Sequence, residues 1–261
     1  MTPSSSKDIR SASHPSTNDR AAELIASRLT AGSRLIELGA GRGHLARRVY
    51  DLLCERGGAD ASLLATDVNT GQFEAEEVPF QAVDFNRPLP FEDSSFDLAY
   101  SIEVVEHLHR PYDFLRECAR VLRPGGWLVL TTPNLLNLES RLRFFFTGFG
   151  DLYEPPSTSL ENAGRLCGHV MPLHYAYHAY GLRLAGFGDM RLVVDRAKKG
   201  SRALYYGLYP LLALARHRFM KQARNYDAEV FAENQEVLRA INGADLMTAR
   251  SLIIEARKAT A

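Results

Sequence analysis

Apolar and polar residues follow two rhythms along this chain. Ala22, Ile25, Ala26 and Leu29 fall at i, i+3, i+4 and i+7, the spacing of one buried helical face. Asn18 or Asp19 is placed to cap that helix, and Gly32 ends it. The rhythm then changes to short apolar runs broken by glycine and aspartate. Arg34–Leu38 is expected as a strand, with a helix from His44 to about Glu55. Ser62–Thr66, Gln81–Val83 and Phe96–Ser101 are expected as further strands, the first two ending at Asp67 and Asp84. A helix over Pro111–Leu122, a turn at Arg123-Pro124-Gly125-Gly126 and a strongly apolar strand over Trp127–Thr132 follow. Strands apolar on both faces that alternate with helices predict a parallel sheet covered on both sides. Their carboxyl ends share one edge, where such sheets bind ligands.

Beyond Asn134 no regular pattern returns until a helix near Tyr175–Ala185 and a strand near Arg191–Asp195. Residues 200–240 have a helical pattern, and Ser251–Ala256 is expected as the last strand. The first 17 residues, rich in Ser, Thr and Pro, are expected to form a disordered tail.

A hydrophobic content of 46% supports a sizeable core. Lys and Arg balance Asp and Glu at net +0, so no global field recruits nucleic acid. Cys54, Cys118 and Cys167 are too widely spaced for a zinc site or a disulfide framework, which fits a reducing compartment. The N-terminus lacks an apolar signal core, and no apolar run nears the ~20 residues that cross a bilayer. These features place the expectation on a soluble cytoplasmic protein.

The segment Glu37-Leu38-Gly39-Ala40-Gly41-Arg42-Gly43 lies between a strand and a helix. Its glycines let the backbone turn sharply and approach a ligand, and the helix that follows offers free N–H groups. The third glycine comes one residue earlier than in the dinucleotide fingerprint G-x-G-x-x-G. Asp67 ends the next strand where an acid can bond ribose hydroxyls, and Asp84 ends the one after, near where an adenine amino group would lie.

In this order, ELGAGRG, Asp67, Asp84-Phe85, SFDLAYSIEVVEHL and VLRPGGWLVLTTPN resemble the class I S-adenosylmethionine-dependent methyltransferases, from about Leu35 to Asn134. The resemblance implies an α/β fold: a doubly wound, mostly parallel seven-stranded sheet of Rossmann-like type. Its last strand is antiparallel, with a helical insertion and a C-terminal helical region. It implies a methyltransferase domain over 18–195 with a substrate-covering insertion at 134–175. A helical accessory region over 196–250 and a final strand and tail over 251–261 complete the chain. It also implies S-adenosylmethionine as cofactor. Glu37, Gly39, Ala40, Gly41 and Gly43 would surround its methionine part, Asp67 and Val68 its ribose, and Asp84 with Phe85 its adenine. Ile102 and Glu103 would lie along its other side.

Methyl transfer is an in-line displacement governed by positioning and desolvation, and a hydroxyl acceptor must also lose a proton. If Glu103-Val104-Val105-Glu106-His107 begins a helical turn, Glu103, Glu106 and His107 share one face, a donor set suited to Mg²⁺ or Mn²⁺. A solvated Glu106 and a His107 packed beside the ligand satisfy the same spacing. This E-x-x-E-H string resembles that of small-RNA 2′-O-methyltransferases, where a later His helps hold a metal, and that of ubiquinone-pathway O-methyltransferases. Here His169 matches the later His. His107 and His169 are the candidate catalytic residues. His174 and His178, with Tyr175, Tyr177 and Tyr180, fit a helix packed on the sheet as well as an acceptor site.

The stretches TTPNLLNLESRLRFFFTGFGDLYEPP and GHVMPLHYAYHAYGLRLAGF resemble bacterial methyltransferases of polysaccharide and envelope-glycan pathways. That implies O-methylation of a glycan or a lipid-linked small molecule. A ubiquinone-type acceptor, RNA, or a cofactor-binding assembly subunit without an acceptor are the alternatives. Phe144-Phe145-Phe146 beside Arg141 and Arg143 fits a substrate lid better than a nucleic-acid contact. Finally, 196–224 holds eight Lys/Arg and no acid, flanking the apolar run 203–215. This suits peripheral contact with the inner membrane face, and equally a buried helix pair broken at Pro210.

Overall fold

The computed structural model describes residues 9–159 and 168–260. Cys167, residues 1–8 of the expected tail and the middle of the insertion lie outside the described residues. In chain order the elements begin with α1 (Pro15–Arg28), β1 (Arg34–Leu38), α2 (His44–Arg56), β2 (Ser62–Asp67) and β3 (Phe80–Ala82). β4 (Phe96–Ile102), α3 (Pro111–Val121), β5 (Leu122–Pro133), α4 (Leu138–Thr147), α5 (Tyr175–Leu184) and β6 (Phe187–Val194) follow. The chain closes with α6 (Lys199–Tyr226), α7 (Ala228–Glu233), α8 (Gln235–Ile241), α9 (Ala244–Thr248) and β7 (Ser251–Lys258).

The strands form one seven-stranded sheet in the order β3-β2-β1-β4-β5-β7-β6, with β7 antiparallel to both its neighbours. Side chains alternate across the sheet, so adjacent residues feed opposite cores. Ile36, Leu38 and Leu128 join Phe114, Leu115 and Leu182 on one side. Leu35, Tyr100 and Val129 join Ile25 and Val49 on the other. Burial on both faces explains why the strands lack polar alternation. The chain leaves β1 toward one sheet edge and β4 toward the other, so the crevice between their carboxyl ends is the switch point of the topology. Across the far side, Arg28 Nε and Nη2 donate to Glu255 at 2.7 and 2.9 Å, which ties α1 to β7.

Several boundaries differ from the sequence reading. α1 begins at Pro15 rather than after Asn18 or Asp19. The His14 ring caps it by accepting from the Ser16 amide, and Pro15 stands where a missing N–H does no harm. Residues 9–17 are therefore not a free tail: Ile9 and Thr17 are buried. β5 begins at Leu122; pairing passes from Phe96↔Leu122 to Leu98↔Trp127, so the expected turn 123–126 survives as a bulge within the strand. α4, which the sequence reading left irregular, is capped by Asn137 accepting from the Ser140 amide and ends at the left-handed Gly148. β6 starts at Phe187, four residues before the expected Arg191. Pro210 does not break α6: it stands on the exposed side, where water can bond the carbonyl its ring leaves unpaired.

Candidate active site

The glycine loop leaves the end of β1 under tight main-chain control. The Gly39 and Ala40 amides both donate to the Thr66 carbonyl at 2.9 Å, and the Thr66 hydroxyl donates to the Glu37 carbonyl at 2.6 Å. Gly39 is required twice over, by its φ of +97° and because a Cβ there would collide with the Val104 side chain. The loop tip is held by Asp67: the Gly41 amide donates to Oδ2 and the Asn69 amide to Oδ1, both at 2.8 Å. Beneath the loop Glu37 is 2% exposed. Burial pushes its carboxyl up to about 8, against the opposing hydrogen bond from the Tyr100 hydroxyl at 3.3 Å.

These groups open onto a cavity of about 440 Å³ at the switch point. It is lined by the expected cofactor residues Glu37, Gly39, Ala40, Gly41, Asp67, Val68, Phe85, Ile102 and Glu103, and by both candidate catalytic residues, His107 and His169. Two expected contacts fall outside the lining. Gly43, at φ +90°, caps α2, and a Cβ there would lie 2.8 Å from the Phe73 ring, so it serves close packing. Asp84 accepts from the Asn86 amide at 3.0 Å and pairs with Arg87, which is ordinary turn chemistry.

The segment 103–107 corrects the expected metal face. Glu103 sits at φ +54°, and a 3-10 turn covers Val105–His107 in place of an α-helical turn. Glu103 is thereby turned away: its Oε1 accepts from Arg250 Nη1 and from the Ser251 hydroxyl, each at 3.3 Å. The remaining three do converge, with one donor atom each of Glu106, His107 and His169 within 4.8 Å of the others. The insertion is fastened to this turn. The Val170 and Met171 amides donate to the Glu106 carbonyl at 2.9 and 3.0 Å, and His107 Nδ1 lies 2.8 Å from the Gly168 carbonyl. A carbonyl can only accept, so the His107 proton resides on Nδ1 and Nε2 is left as a base. Glu106 is 1% exposed; among the described residues neither carboxylate oxygen has a hydrogen bond, Oε1 lies 3.9 Å from His169 Nε2, and burial raises the carboxyl to about 8. Burial, then the neighbouring His107, lowers His169, whose ring meets those of His107 and Tyr153 edge-on at 4.7 and 5.2 Å.

His174, Tyr175, Tyr177, His178 and Tyr180 do not line the cavity. His174 caps α5, and His178, pushed down to about 4 by burial, faces the Leu173 carbonyl through Nε2 at 3.1 Å. Tyr175 is in the core, while Tyr177 and Tyr180 lie on the exposed side of α5. Among the described residues of the insertion only His169 lines the cavity, so Phe144, Phe145 and Phe146, all exposed, do not cover it. Sequence reasoning missed the strap Arg10–Ser13, which lines the cavity together with Asn18 and His44. The His44 ring meets the Ile9 carbonyl at 2.7 Å and holds the strap down. Its Ser-rich composition gave no signal of this; the isolated apolar Ile9 was the one available hint.

Residues 36–130 match the family described as "Methyltransferase domain". A ubiquinone biosynthesis O-methyltransferase of Albidiferax ferrireducens is 30% identical over 40% of this chain and 42% of its own length. A probable S-adenosylmethionine-dependent methyltransferase of Mycolicibacterium smegmatis is 30% identical over 45% of this chain and 46% of its own length. These matches thus span less than half of the curated relatives. In structure, an S-adenosylmethionine-dependent methyltransferase from Archaeoglobus fulgidus shares the fold with a TM-score of 0.56 at 18% identity, over 92% of each chain. The family match over residues 36–130, the strand order and the glycine loop together support a class I S-adenosylmethionine-dependent methyltransferase domain in this chain.

Proposed function

We propose that the protein is an O-methyltransferase that takes the methyl group of S-adenosylmethionine to a hydroxyl of a glycan or lipid-linked small molecule. The observation that carries this reading is His107, which lines the same cavity as the glycine loop and whose Nδ1 is held by the Gly168 carbonyl, leaving Nε2 its lone pair. When bound, the cofactor supplies an electrophilic methyl on a positively charged sulfonium. Around it the chain offers Asp67, Glu103 beside Arg250, and the buried Glu37, whose raised carboxyl a cationic ligand alongside would bring back down. Asp67 has hydrogen-bonding capacity beyond its two amides for ribose hydroxyls. His107, fixed by the Gly168 carbonyl, can take the acceptor proton as the methyl moves, and its Nδ1 proton stays shared with that carbonyl. The insertion, pinned by the Glu106 carbonyl, brings His169 to this cavity.

A divalent ion fits the same site. The Glu106 oxygens, without hydrogen bonds among the described residues, and the converging His107 and His169 give one carboxylate and two imidazoles, a set that suits Mn²⁺ better than Mg²⁺, with Glu103 outside it. Such an ion would polarise an acceptor hydroxyl. A ubiquinone-type phenol is the second acceptor reading, favoured by the similarity to the Albidiferax ferrireducens enzyme. The test is to incubate the protein with methyl-tritiated cofactor and fractionated cell extract, with Mn²⁺ and with EDTA. Label in glycan or polar-lipid fractions supports the first reading. Label in quinones supports the second. Label released by ribonuclease would refute both.

A further inference from the structure

We propose that the outer face of α6 is a docking surface for an anionic lipid bilayer. The helix spans Lys199–Tyr226, and only Ser201 among its residues is buried. One stripe along it reads Lys199, Ala203, Tyr206, Pro210, Leu214, Arg218, at i, i+4, i+7, i+11, i+15 and i+19. Tyr206 is 69% exposed, Leu211 beside the stripe 62% and Leu214 48%, on a surface where large apolar groups have no reason to meet water. The stripe is cationic at both ends and apolar between them over roughly 30 Å. That is the order a helix needs to lie in a bilayer interface, with Lys and Arg reaching outward to phosphates and Tyr and Leu sinking below them.

The charge decides the occupant. From Arg196 to Tyr226 there are eight basic residues and no acid. Lys198 is neutralised by Glu139 and Asp151, both at 2.6 Å. Among the described residues none of Lys199, Arg202, Arg216, Arg218 and Lys221 makes an ion pair, so their field is open to an anionic partner. A second copy would bring the same cations against each other, which disfavours self-pairing through this face. No described helix is long and apolar enough to cross a membrane, so the contact is interfacial. It does not depend on what the active site methylates.

The experiment is co-sedimentation of the full chain with vesicles of phosphatidylcholine alone and of phosphatidylcholine mixed with phosphatidylglycerol. Binding is expected only to the mixed vesicles and should weaken as salt is raised. K199E/R218E and L211S/L214S, all at exposed positions, should each lower partitioning about tenfold while leaving calorimetric binding of S-adenosylmethionine unchanged. Wild-type protein that stays in the supernatant, or sediments equally with both vesicles, would overturn the proposal. So would a dimer in light scattering that L211S/L214S dissociates, because the apolar stripe would then serve a second copy.

Discussion

His107 Nδ1 stands 2.8 Å from the main-chain carbonyl of Gly168, across a sequence gap of 61 residues. With the Val170 and Met171 amides on the Glu106 carbonyl, that bond joins the turn after β4 to the insertion, and it fixes the tautomer of the ring. His107→Ala is expected to lower methyl transfer by about 10²–10⁴-fold with little change in cofactor affinity, because the lost group acts on the acceptor proton. Tritium incorporation alongside calorimetry separates the two quantities. Equal loss in both would mean that His107 shapes the cofactor cavity instead.

Glu106 gives the pH dependence a sign. Its folded value, about 8, lies above the ordinary 4.5, so the native chain retains a proton that the unfolded chain releases. Its contribution is fully favourable below 4.5 and is lost as pH rises toward 8. In EDTA, Glu106→Gln should therefore be near neutral at pH 5 and stabilise the fold at pH 8 by on the order of 3 kcal/mol. Denaturant titrations at the two pH values check this; a gain of equal size at both would contradict it.

Two glycines of one loop should respond differently to alanine. Gly39→Ala meets both a strained φ of +97° and the Val104 side chain, and should destabilise by about 2 kcal/mol or more. Gly41, at φ +53° with open space around its Cβ position, should cost about 1 kcal/mol. Thermal unfolding of the two variants orders them.

The strap is the least expected part of the site. Removing residues 1–13 should weaken cofactor binding about tenfold, because Arg10–Ser13 line the cavity, while the sheet stays intact. Circular dichroism and calorimetry on the truncated chain report both halves of that expectation.

The parts of the molecule that were legible in the sequence are those set by local rules. Leu35–Leu38 is apolar but for Glu37 and is followed by glycines, and Asp67 ends the next apolar run, so strand, loop and acid could be placed in order. Glu103 could not be, because its left-handed φ breaks the helical spacing that would have stacked it over Glu106 and His107. Its partner Arg250 is 147 residues away. Residues 9–17 have a tail's composition, and long-range contacts order them: burial of Ile9, its carbonyl on His44, and the Thr17 hydroxyl donating to Asp195 at 3.1 Å. α4 was missed because its apolar triplet Phe144–Phe146 stays exposed and so leaves no one-sided pattern.

The most direct measurement is calorimetric titration of the chain, and of Asp67→Ala, with S-adenosylmethionine. Saturable one-to-one binding by the wild type, weakened at least about tenfold in the variant, is the expected result. Absence of binding, or equal affinity in both, would contradict the assignment of the switch-point cavity as the cofactor site.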